Sequence, residues 1–232
     1  MAHKVWHHHG QMSEAFRTVM FLSASGGLQD AYTYIGRGKV FANAQTGNIV
    51  LMSQAAFDGD LSRVLHYLVP LLSFALGVAA AEVIHIRYRE AKRLHWRQLV
   101  LLVEILLLFG VGFIPNTLDL AANALVSFAC AMQVQAFRKV HSYPFASTMC
   151  IGNMRSGMES LVVYFHLHDK KVLHKALHYF GVILLFAIGA GVGAHCVGVF
   201  GNKTIWFSCA LLLVSLCFMF IQDEEEALKE KA

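Results

Sequence analysis

The sequence predicts an all-α membrane protein of about six transmembrane helices, arranged as two inverted three-helix repeats, each with a broken or re-entrant segment. Three observations predict it. Apolar residues make 56% of the 232 residues and charged residues 15%, against about 25% in soluble domains, with a mean hydropathy of +0.52. Apolar runs of spanning length recur along the chain. Two distant segments also match each other in a single register. This balance excludes a soluble enzyme, a disordered chain and a disulfide scaffold. The five cysteines, Cys130, Cys150, Cys196, Cys209 and Cys217, form no CxxC pair and read as buried free thiols.

Residues 1–17 lack the apolar core of a signal peptide and read as a cytoplasmic segment; the run His7–His9 is native or a tag remnant. Helices are expected at Thr18–Gly36, Val64–Ile86, Gln98–Ile114, Leu118–Phe137, Leu177–Phe200 and Ile205–Ile221. Each approaches the ~17–25 residues that cross a bilayer. Helices are favoured because only they satisfy their own backbone in lipid, and no stretch alternates as barrel strands do. Val40–Phe57 and Tyr143–Phe165 are moderately apolar and interrupted by Gly and Asn. The repeats then cover 18–114 and 118–221, and 222–232 is an acidic cytoplasmic tail.

Lys and Arg set the orientation. Arg87, Arg89, Lys92, Arg93 and Arg97 crowd one loop, and Lys170, Lys171 and Lys175 another, whereas Pro115–Leu118 has none and Gly201–Thr204 only Lys203. The positive-inside rule places both basic loops, and both termini, in the cytoplasm. Two loops on one side need an even number of crossings between them. Tyr143–Phe165 is therefore expected to dip and return, or to lie broken within the bundle.

The self-match has an offset of 105 positions: Ala31 with Ala136, Gly47 with Gly152, Asn48 with Asn153, Asp30 with Gln135 and Ala42 with Ser147. Farther on, Phe74-x-x-Gly77 resembles Phe186-x-x-Gly189. Three crossings per repeat invert the second copy, an arrangement that puts sites near the midplane where the halves meet.

These residues carry a resemblance. Asp30-Ala31, Gly38-Lys39-Val40-Phe41 and Thr46-Gly47-Asn48 are similar to the first signature of the YoaK-like family, domain of unknown function 1275. The second signature is represented by Gln133-Val134-Gln135-Ala136, Arg138 and Ile151-Gly152-Asn153, where Ile151 stands for the usual Thr and the Asn after Gln133 is missing. The resemblance spans nearly the whole chain. It implies a bacterial multi-pass protein of about six helices in the inner (plasma) membrane, and it implies no activity.

The candidate site follows from the Gly-Asn elements. Gly47 and Gly152 allow unusual backbone conformations, and Asn48 and Asn153 are suited to cap helices starting there. Two helix N-termini aimed at the midplane would favour an anion or polar solute, with Arg155 strengthening an anion preference. Thr46, Asp30 and Gln135 are expected nearby. Asp30 is alternatively a cap or a partner of Arg37 or Lys39. Glu104, amid Leu and Ile, is a proton carrier or a structural hydrogen-bonding group. His195 reads as a satisfied interior histidine. The histidine pairs near Asp169 lack further ligands, and Gly189-x-x-x-Gly193 reads as close helix packing or an oligomer contact. The expected function is a transporter or channel for a small polar or anionic solute. The alternative is a non-transporting structural or interaction protein, whose partner would be a second copy or another membrane protein. No enzyme motif, cofactor, metal or nucleic-acid partner is expected, and the lipid bilayer is the solvent.

Overall fold

The computed structural model describes residues 16–88, 95–140, 143–144, 148 and 150–229. Residues 1–15 of the N-terminal segment lie outside them, as do Arg89, Lys92 and Arg93 of the first basic loop, Ser147, and the last three residues of the tail.

Eight helices are described: α1 (Phe16–Ala31), α2 (Gln45–Phe57), α3 (Leu61–Tyr88), α4 (Trp96–Val111), α5 (Asp119–Ala136), α6 (Cys150–Leu167), α7 (Lys170–Phe200) and α8 (Ile205–Lys229). A π-helical turn, Tyr32–Gly36, extends α1, and a two-residue antiparallel ladder pairs Lys139–Val140 with Tyr143–Pro144. Three helical runs are long and apolar enough to cross a membrane: Leu61–Tyr88, Asn116–Ala136 and Lys170–Phe220. The last is broken at Gly201, whose φ of +55° no helix continues, so it holds two helices. The helices at α1 and α4 are shorter, 16 residues each, about 24 Å at ~1.5 Å per residue.

The outside of the bundle is apolar. Leu72, Leu76 and Val83 of α3, Leu106 and Phe109 of α4, and Leu184 and Ile188 of α7 are all exposed. Water would penalise such a surface; lipid does not. The main buried cluster lies among α4, α5 and α8 with Leu22 and Tyr32 from α1.

Packing between the halves is crossed over. The helix α1 packs on α7 and α8 of the second half, and α5 packs on α3 and α4 of the first. Within each half, α2 lies on α3 and α6 on α7, and α4 meets α8. Exchanging α1 with α5, α2 with α6, α3 with α7 and α4 with α8 leaves this pattern unchanged. Glycines make the closest approaches. A Cβ at Gly77 of α3 would lie 2.3 Å from the Phe128 carbonyl oxygen on α5, and one at Gly189 of α7 would lie 2.0 Å from that of Ala24 on α1. These are the glycines of the two Phe-x-x-Gly motifs. The small face of Gly189 and Gly193 is therefore used inside the bundle, against α1.

The contacts also fix direction. Phe16 stacks near His178, Gly193 lies on Leu28 and Gly36 on Val197, so α1 and α7 run parallel. In the same way Gly77 on Phe128 and Gln135 bonded to Glu82 make α3 and α5 parallel. The helix α8 is antiparallel to α1, with Ser208 by Ser25 and Ser215 by Thr18.

The chain between α1 and α2 folds back into the bundle. Arg37 is level with the far end of α4: its guanidinium donates to the carbonyls of Val111 and Ile114. Gly38 and Lys39 then take φ of +85° and +68°, reversing the chain. By Asn43 it has returned to Gly26, whose carbonyl accepts from the Asn43 amide. That descent is about 15 Å along α1 at ~1.5 Å per residue. The helix α2 climbs back, and the turn at Gly59 leads into α3. Segment α6 does the same from the other end: Thr148 lies against Gly26, Gly157 against Phe180, and Leu167 leads into α7.

Candidate functional site

The N-termini of α2 and α6 meet at one cavity of about 630 Å³. Its walls come from the end of α1 (Asp30, Ala31, Tyr34, Ile35), from Phe41 to Thr46, from the start of α6 (Thr148, Cys150, Ile151, Gly152), and from Phe74, Phe186 and Ala190. Phe74 and Phe186, which head the two Phe-x-x-Gly motifs, supply aromatic walls from α3 and α7. Most of the lining is apolar, a usual composition for a small-molecule site.

Asp30 supplies the carboxylate. It is 7% exposed, and the backbone N–H groups of Ala42, Asn43 and Ala44 converge on it, that of Asn43 at 2.7 Å. The expected ion pair with Arg37 or Lys39 is not formed. Arg37, fully buried, donates to the Asp119 carboxylate at 2.8 Å, to the Tyr32 hydroxyl and to two carbonyls. Asn123 in turn donates to the Arg37 carbonyl. The side chain of Arg37 thus ties the segment between α1 and α2 to the α4–α5 turn. Lys39 is exposed, its ammonium 4.9 Å from the centre of the Tyr34 ring.

Two buried atoms on cavity-lining residues, Asn43 Oδ1 and Thr148 Oγ1, have no hydrogen-bond partner among the described residues. Buried polar atoms are normally paired; these two lie behind the cavity surface rather than exposed on it.

The sequence-expected residues separate into two groups. Asp30, Thr46 and Gly152 line the cavity. Asn48 does not. It sits in the first turn of α2 rather than before it, and its side chain reaches back to the Phe41 N–H and carbonyl and to Gln45. Asn153 is likewise inside the first turn of α6, and is buried. The glycines beside them are helical, without left-handed φ. Gly47 is small because the Phe41 ring lies 3.0 Å from where its Cβ would be, while no described residue comes within 4 Å of a Cβ at Gly152. Gln135 faces away, bonded to Glu82. Arg155 is on the surface, its side chain 81% exposed and paired with Glu159 along α6, so it brings no charge to the cavity. His195 is exposed rather than interior.

Glu104 is fully buried, in a different cluster. Gln29 Nε2 lies within hydrogen-bond distance of Glu104 Oε1, Ser25 Oγ and Ser208 Oγ, and Gln29 Oε1 accepts from Cys130. Four helices meet there, held by side-chain polarity in an otherwise apolar core. Gln29, Asn43 and Thr148 did not stand out in the sequence, and Arg37 was expected only as a partner of Asp30. The run Ala42-Asn43-Ala44 directly before a helix was the one signal that could have found Asn43.

These features define a class, a multi-helix membrane protein with an interior cavity. The family model described as "Protein of unknown function (DUF1275)" matches residues 18–218, and the chain belongs to that family. It is similar to the UPF0700 transmembrane protein YoaK of Bacillus subtilis (strain 168), with 25% identity over 209 residues, covering 85% of this chain and 92% of the relative. No solved structure matches the chain.

Proposed function

We propose that the protein is a transporter or channel built from two inverted repeats. Six helices cross the bacterial inner membrane with both termini in the cytoplasm, and a small polar solute passes through the cavity. The packing pattern that survives exchange of the halves supports the inversion. Parallel α1 and α7 oppose α5, and the basic residues Arg87, Arg97 and Lys170 then fall on one side. On this reading α2 is re-entrant from outside and α6 from the cytoplasm. Irregular backbone at such depth is stable where protein buries it or where it lines a cavity, and the stretch from Arg37 to Ala44 does both.

The observation that carries the reading is that two short helices entering from opposite ends point their N-termini at one cavity with a buried carboxylate in its wall and unpaired polar atoms just behind it. Arg155, on the outer surface, adds no charge that would favour an anion there.

Two measurements test it. Single cysteines at Asp58 and Lys203 should react with an impermeant thiol reagent applied outside intact cells, and cysteines at Arg87 and Lys170 only after permeabilisation, in a background without native cysteines. Liposomes carrying the protein should swell faster than protein-free ones in at least one of glycerol, methylammonium chloride or sodium acetate, and Thr46→Trp should abolish the difference. Equal swelling in all three refutes transport.

A further inference from the structure

We propose that the cavity selects a small organic ammonium cation, a reading that rests on the cavity being the solute site. The formal charge in its lining is the Asp30 carboxylate. The described cations nearby are engaged elsewhere: Arg37 with Asp119, Arg155 with Glu159, and Lys39 over the outer ring of Tyr34. The amide nitrogen of Asn43 donates to the Gly26 carbonyl. Its Oδ1 and Thr148 Oγ1 lie buried just behind the wall with no partner among the described residues, acceptors that a small side-chain shift would bring to a ligand. All three side chains are more than nine-tenths buried. A molecule meeting them gains most by bringing N–H donors and a positive charge.

The apolar part of the lining fits the same ligand. Phe74 and Phe186 come from the two related halves, and Tyr34 stacks on Phe41 with ring centres 4.4 Å apart. Aromatic faces attract ammonium groups through their quadrupole. A cavity of about 630 Å³ accommodates an alkylammonium with room for water. The backbone N–H groups of Ala42, Asn43 and Ala44, just before α2, already serve Asp30 and are not available to an anion.

The test uses three probes of one shape: butylammonium, butanol and butyrate, titrated against the full-length protein in detergent by calorimetry and thermal shift. Butylammonium should bind saturably and at least ~10-fold more tightly than butanol, with no binding of butyrate. Asp30→Asn should remove that preference. Should this variant fail to elute as a single folded species, Phe74→Leu and Phe186→Leu decide, each expected to weaken butylammonium several-fold and to leave butanol unchanged. Equal binding of butanol, or binding of butyrate, overturns the ammonium assignment. Its failure is distinct from that of transport: liposomes that swell in glycerol or acetate without ammonium binding would leave transport standing. Ammonium binding without any swelling would leave a binding site and remove the transporter.

Discussion

Replacing Gly189 by alanine puts a methyl carbon 2.0 Å from the Ala24 carbonyl oxygen, where ordinary contact needs at least 3.4 Å. The obstacle is backbone on a neighbouring helix, so no rotamer relieves it, and α1 and α7 must separate by about 1.4 Å at this level. Overpacking typically costs ~1–3 kcal/mol, and a backbone clash belongs at the upper end. A loss of about 3 kcal/mol corresponds to a melting temperature lower by about 6–12 °C at this chain length. Gly191, two residues on, is exposed and has nothing within 4 Å of its would-be Cβ. There alanine contributes only its helix propensity, a gain of up to ~1 kcal/mol. Gly77→Ala, whose clash is with Phe128 on α5, should behave as Gly189→Ala does. Thermal unfolding of detergent-solubilised variants, followed by the loss of monodisperse protein, measures the contrast. Equal melting of Gly189→Ala and Gly191→Ala would refute the close packing of α1 on α7.

Arg37→Met leaves Asp119, the Tyr32 hydroxyl and two carbonyls without their donor; the expected loss is about 3–5 kcal/mol, and Arg37→Met with Asp119→Leu should recover part of it in the same unfolding assay. Asn48→Ala removes the clasp on Phe41 and should cost about 1–3 kcal/mol, read as a lower melting temperature. Arg155→Ala, by contrast, should leave probe binding unchanged, since its ion pair with Glu159 lies on the outer face of α6 and not in the cavity lining; a loss of binding would place Arg155 in the site after all.

Hydropathy made the helices legible. The ends of Val64–Ile86 and Leu118–Phe137 fall within three residues of α3 and α5, because lipid exposure demands long apolar runs that few other structures contain. The spacing of Thr46 and Gly152 relative to Asp30 also led to residues that share the cavity. What the sequence could not reveal was where side chains turn once inside. Asn48 and Asn153 lie one helical turn too deep to cap anything, and Arg155 faces outward. Arg37 looked like a loop cation and is instead the largest fully buried side chain, since its partners come from α4 and α5, more than 70 positions away along the chain. Contacts of that range leave no local periodicity.

The crossed-over packing has a consequence for biosynthesis. Ala24 and Gly189 touch, yet most of the polypeptide must be translated between them. At ~5–20 residues per second, α1 spends on the order of 10–30 s in the membrane before its main neighbour emerges from the ribosome. During that interval Asp30 already has the N–H groups of Ala42, Asn43 and Ala44, whereas Gln29 waits for Glu104 of α4, Cys130 of α5 and Ser208 of α8. A product truncated before α7 leaves the Ala24 face of α1 without the helix that packs on it.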